Sequence, residues 1–159
     1  MTKKVFFYDT IIGRIGITEE AGAISRVFYG ADTTPDPHII GTPLIQKTYK
    51  QISEYLSGKR ASFDLPLAIH GTEFQKKVWD QLTKIPFGKT CNYKDIATNM
   101  EKPGASRAIG MANNKNPLMI IIPCHRVVGT NGDLVGYAGG IAAKQYLLDI
   151  EKRYEKPTL

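Results

Sequence analysis

Residues 118–123, LMIIIP, form an apolar run that leads without a break into Cys124, His125 and Arg126. The run is far shorter than the roughly 20 residues a membrane-spanning helix requires, and its successive isoleucines favour extended backbone. Pro117 and Pro123 bracket it, and both oppose helix. A buried extended segment is therefore predicted. A chain that owns one must wrap other elements around it, and here it must also set a thiol, an imidazole and a guanidinium side by side at the end.

The material for that wrapping is present. With 159 residues, 42% hydrophobic and 23% charged, the chain suffices for one compact unit or two small lobes with a real core. The opening MTKKVFFYDTIIGRIG meets polar residues and glycines where a secretory segment would stay apolar, so a soluble cytoplasmic chain with no membrane partner is expected, nucleoid-associated if the source is prokaryotic. Two cysteines, Cys91 and Cys124, are too few for a disulfide framework or a thiolate-rich zinc site, and neither metal nor cofactor is expected. A net charge of +6 raises the local concentration of any polyanion, which makes nucleic acid a candidate partner.

Pattern divides the chain in two, with the boundary near His70: an N-terminal α/β lobe, 1–70, and a C-terminal domain, 71–159. From Lys4 to Phe28, β-branched and aromatic residues broken by glycines predict short antiparallel strands. TTPDPHIIGTP reads as a loop. Thr42 then caps a helix with Pro43 at its first position and Ile45, Tyr49, Ile52 and Leu56 on one face, ending at Gly58. In the second half, Thr72 and Gln75 form a capping box for a helix bearing Phe74, Val78, Trp79 and Leu82. Asn92 with Asp95 caps a short helix, EKPG breaks it, and another begins near Ala105, which is the outline of a helix-turn-helix. A hairpin-like turn around Asn131-Gly132 and an amphipathic helix from Ile141 to Lys152 complete the domain.

A lone cysteine after an apolar run is by default an inert core residue. Here His125 and Arg126 follow at once, and an electropositive setting is expected to lower the Cys124 thiol from about 8.5 toward neutrality. Adjacent side chains diverge, so His125 would act on the sulfur through a bridging water. A papain-like hydrolase needs a distant histidine and a third orienting group, and gives no reason for a helix-turn-helix.

PCHRVV, with NP upstream, ASRAIG before it and GYAGG after it, resembles the O6-alkylguanine-DNA alkyltransferases, also called methylated-DNA-protein-cysteine methyltransferases. The likeness covers roughly Gly71 to Glu151. It implies a small α/β lobe followed by a mostly helical domain with a winged-helix-like helix-turn-helix. It further implies that Cys124 takes the alkyl group from O6 of guanine, and from O4 of thymine, as a stable thioether, once per molecule. By the same resemblance His125 draws the thiol proton through water, Glu151 orients His125, and Asn116 holds the turn beside Cys124. Tyr93 contacts the base and assists its departure.

Arg107 is implied to fill the gap left by a flipped nucleotide, with Ala105, Ser106, Gly110, Tyr93 and Lys94 against the DNA. The base pocket would be formed by Tyr137, Ala138, Val127 and Gly136, with the carbonyls of Cys124 and Val127 reading the exocyclic amine. Lys102 and Lys115 join Lys94 as candidate phosphate contacts. The expected partner is duplex DNA containing O6-alkylguanine, met by a monomer. Two other functions compete: a lesion-binding module without transfer, whose known examples carry tryptophan in place of the cysteine, and a thiol redox sensor on a DNA-binding scaffold.

Overall fold

The computed structural model describes residues 3–30, 39–134, 136–137 and 139–154. It divides into two compact units. The first holds the described residues up to His70 together with Pro117–Ile121, and the second holds Gly71–Asn116 and the described residues from 122 onward. The second unit is thus not one continuous stretch, because 117–121 leave it to pair in the first.

In the first unit, β1 (Lys3–Thr10), β2 (Gly13–Glu20) and β3 (Ala23–Tyr29) form an antiparallel sheet in the order β1-β2-β3. The β2–β3 turn holds Ala21 and Gly22 at φ 52° and 81°, the paired left-handed residues that suit the twist of a tight hairpin. Helix α1 (Pro43–Leu56) lies against the sheet and buries Ile45, Ile52 and Tyr55. Thr42 Oγ1 accepts from the Ile45 amide at 3.1 Å, and its hydroxyl donates to Glu19 Oε1 at 2.5 Å. Gly58, at φ 79°, turns the chain away from the helix end.

A bulge in β3 sets what its outer edge can bind. Thr18 pairs with Arg26 but Glu19 pairs with Ile24, so Ser25 is an extra residue. The shift turns the backbone of both Ile24 and Val27 outward. Ile24 bridges to Leu67, while Val27 accepts from Met119 at 3.1 Å and donates to Pro117 at 2.9 Å, bracketing Leu118.

The apolar run is buried as expected but is not extended beyond Leu118. Ile120 takes φ 73°, a left-handed conformation that is strained for a β-branched residue. The Ile121 amide bonds back to Met119, the Cys124 amide bonds back to Ile122, and Asn116 Nδ2 donates to the Ile122 carbonyl at 2.8 Å. These local bonds satisfy buried backbone groups that a continuous strand would have offered to a neighbour, and they replace the strand with a turn.

The second unit is helical. Helix α2 (Glu73–Thr83) begins with the Thr72–Gln75 capping box and buries Val78, Trp79 and Leu82. Helices α3 (Tyr93–Asn99) and α4 (Ser106–Asn114) form the helix-turn-helix pair, α3 opening on the Asn92–Asp95 box. Trp79 Nε1 fastens α2 to α4 through the Ala112 carbonyl at 2.8 Å. Between α3 and α4 the left-handed residue is Glu101, at φ 58°, rather than Gly104. Lys102 bonds back to Ala97 and Glu101 to Thr98, which stops α3 in a Schellman motif.

A single 3-10 turn, Cys124–Arg126, follows, and helix α5 (Ile141–Arg153) buries Ala143, Lys144, Leu147, Ile150 and Glu151. Gly129 and Asp133 close the turn around Asn131-Gly132, although no named strand flanks it among the described residues. The two units have the fold class read from sequence. No described helix is long and apolar enough to cross a membrane.

Candidate active site

Cys124 opens the 3-10 turn behind Pro123 and is 2% exposed. Burial pushes its thiol up to about 11, against the opposing pull of a hydrogen bond with the Asn116 side chain and the charge of Lys144. The expectation of a lowered thiol is therefore corrected. The cause lies in side-chain direction: His125 and Arg126 follow Cys124 in sequence, but both turn to Glu151, on α5.

Glu151 accepts from His125, Arg126 and Gly88. His125 Nε2 donates to Oε2 at 2.7 Å. Arg126 Nε donates to Oε1 at 2.8 Å and to Oε2 at 3.0 Å, its Nη2 reaches Oε2 at 2.9 Å, and the Gly88 amide reaches Oε1 at 3.1 Å. Arg126 Nη1 is held in turn by the Ile85 carbonyl at 2.7 Å. Burial favours the neutral carboxyl, yet contact with His125 and Arg126 outweighs it and holds Glu151 down to about 2. Burial also pushes the His125 imidazole below its usual value despite the carboxylate. The resting triad is therefore an ionised Glu151 paired to the permanent cation Arg126, with a neutral His125. Since Nε2 carries the hydrogen shared with Glu151, Nδ1 is the basic nitrogen of that ring.

Tyr93 comes from the first turn of α3 and rests on α4 at Gly110, where a Cβ would stand 3.3 Å from Tyr93 Cε2. Burial raises its hydroxyl, a hydrogen bond from the Asn113 side chain acts the other way, and the charge of Cys124 bears on it. The arrangement joins a buried sulfur, a histidine backed by a carboxylate and a phenol within one unit. That set suits proton removal from a nucleophile and proton delivery to a leaving group.

The model of the family "6-O-methylguanine DNA methyltransferase, DNA binding domain" matches residues 73–153. A methylated-DNA–protein-cysteine methyltransferase of Mycolicibacterium paratuberculosis is 46% identical over 158 residues, covering 96% of both chains. The chain belongs to the methylated-DNA–protein-cysteine methyltransferase family. A second member, from Methanosarcina acetivorans, is 49% identical over 74% of this chain and 75% of its own. The crystal structure of Mycobacterium tuberculosis OGT in complex with DNA superposes with a TM-score of 0.84 at 37% identity, covering 98% of this chain and 96% of that one.

Within this methyltransferase, the structure gathers Cys124, Asn116, Tyr93, His125 and Glu151 into one unit, as described. The residues expected against DNA follow the helix-turn-helix: Lys94 is exposed on α3, Arg107 is exposed in the first turn of α4, and Ala105, Ser106 and Gly110 are half-buried along α4 and its cap. Gly110 has a packing duty as well, since the Tyr93 ring occupies the space of its missing side chain. Of the base-pocket residues, Tyr137 is half-buried, Gly136 is exposed, and Ala138 lies outside the described residues. Val127 is buried, and its carbonyl accepts from Lys144 Nζ.

Three features escaped the sequence reading. Lys144, fully buried on α5, is the charge that draws the Cys124 thiol down, in place of the neighbours expected to do so. Its signal was the helical spacing Lys144, Leu147, Glu151 on the buried face. Asn113 continues the buried side of α4 from Ile109. Arg126 serves the carboxylate instead of the sulfur.

Proposed function

We propose that this DNA-repair methyltransferase uses Cys124 to take the alkyl group from O6 of guanine, and from O4 of thymine, in duplex DNA. One observation carries the reading: a buried cysteine sits on a turn that Asn116 ties down at the Ile122 carbonyl, in the same unit as a His125–Glu151 pair and the phenol of Tyr93.

The alkyl carbon sits on a base inside the duplex, so the nucleotide must leave the stack to meet a buried sulfur, at a cost of a few kcal/mol. The helix-turn-helix offers exposed Arg107 to fill the gap and exposed Lys94 to the phosphates. With a thiol near 11, on the order of one sulfur in ten thousand is ionised at pH 7. Ionisation therefore belongs to the bound complex. The thiol proton leaves through water to His125 Nδ1, and Glu151 steadies the imidazolium that results. The sulfur–carbon bond forms as the carbon–oxygen bond breaks, the electron pair stays on the base, and Tyr93 supplies a proton to it. The thioether product has no hydrolytic exit, so each monomer acts once.

The test is incubation with a duplex containing O6-methylguanine, followed by intact and peptide masses. One added methyl on the Cys124 peptide, absent in Cys124→Ala, is expected. Lesion binding by a protein that returns chemically unchanged would overturn the reading in favour of a recognition module.

A further inference from the structure

Helix α4 carries Gly110 and Asn113 one turn apart, and Asn116 follows a further turn on, just past the helix end. The Tyr93 ring lies on Gly110. The Asn116 amide donates to the Asn113 main-chain carbonyl at 3.3 Å, and the Asn116 side chain ties down the turn of Cys124 at Ile122. Asn113 therefore stands along the chain between the rest of the phenol and the turn that bears the sulfur, the two groups a reacting base must meet together. It is 2% exposed, and among the described residues its Oδ1 accepts no hydrogen bond. A buried carbonyl without a donor loses its hydration and receives nothing in return, so an apolar side chain of similar size would serve stability better.

A donor that arrives with the substrate accounts for this oxygen. Alkylation at O6 removes the hydrogen from N1 of guanine, so the exocyclic amine is the N–H donor that remains on the base. Alkylation at O4 removes the hydrogen from N3 of thymine, which then has no N–H to offer. Of the two main-chain carbonyls that the family resemblance gives to the amine, that of Val127 already accepts from Lys144 Nζ. The amine has two hydrogens, and the Cys124 carbonyl and Asn113 Oδ1 can take one each.

We propose that Asn113 reads the extruded base, its Oδ1 accepting from the exocyclic amine of O6-alkylguanine; this rests on the reading of Cys124 as the alkyl acceptor. A site built to bond an amine discriminates against a base that lacks one, because its own polar group is then left unpaired. Asn113 thus favours guanine lesions over thymine lesions.

Single-turnover methyl transfer at limiting protein tests this on otherwise identical duplexes carrying O6-methylguanine, O6-methylhypoxanthine, which lacks only the amine, or O4-methylthymine. Wild type is expected to prefer the guanine lesion over the hypoxanthine one, and Asn113→Leu and Asn113→Ala should each lower that preference by about tenfold. Repair of O4-methylthymine should slow no more than repair of the hypoxanthine lesion. Asn113→Asp keeps an acceptor oxygen and should hold the preference within about threefold of wild type. The preference is a ratio taken within one variant, so a general loss of activity does not move it, and the alanine variant serves if the leucine variant does not fold. Equal losses on all three lesions, or a preference left intact by the apolar variants, overturn the proposal while Cys124 still becomes methylated. A wild type that leaves Cys124 unmodified by every lesion overturns the reading beneath it instead.

Discussion

Arg126 grips Glu151 through both carboxylate oxygens, with Nε at 2.8 and 3.0 Å and Nη2 at 2.9 Å, in a setting closed to solvent. Removing the guanidinium leaves an ionised carboxylate buried with a neutral histidine. Arg126→Met is expected to cost about 3–5 kcal/mol of stability, read from urea unfolding. A loss below about 1 kcal/mol would mean that the pair contributes little to holding Glu151.

Modification of the free protein reports the state of the sulfur. Because the Cys124 thiol lies near 11, its reaction with a small alkylating reagent should rise about tenfold per pH unit from pH 7 to 10. The measurement is the mass-resolved rate at the Cys124 peptide. A plateau beginning near pH 7 would show a thiolate already formed before DNA arrives.

Acid should weaken the fold in two stages. His125 and Glu151 both have lower values in the folded chain than their ordinary 6.5 and 4.5, so the unfolded state takes up protons first. Their contribution is complete above about pH 6.5. The His125 share goes as pH falls below that, and the Glu151 share goes between about 4.5 and 2. Urea midpoints from pH 8 to 3 should decline accordingly, and Glu151→Gln should flatten the lower part of the curve.

Arg107→Ala separates extrusion of the base from chemistry. Repair of the lesion in duplex should slow far more than methyl transfer from the free base, since only the duplex has a stack to hold open. Equal losses on the two substrates would remove Arg107 from that role.

The parts of this molecule that were legible in sequence are those decided within a few residues. Thr72 with Gln75, Asn92 with Asp95, and Thr42 before Pro43 each announce a helix start, because the bonds that cap a helix are made locally. The same holds for Gly58. By contrast, the turn at Ile120 opposes the preference of isoleucine and depends on Asn116 reaching Ile122, so the pattern of the run itself pointed to a strand. The thiol was misjudged for a related reason. Sequence places His125 and Arg126 beside Cys124, but their directions are set by Glu151, which arrives from α5 only when the chain has folded.

The depth at which Cys124 lies has a bearing on economy. A polypeptide that can react once is wasted by every stray electrophile or oxidant that finds its sulfur. Screened by the surrounding side chains, and with its thiol pushed up to about 11, this sulfur offers such reagents little to attack at neutral pH.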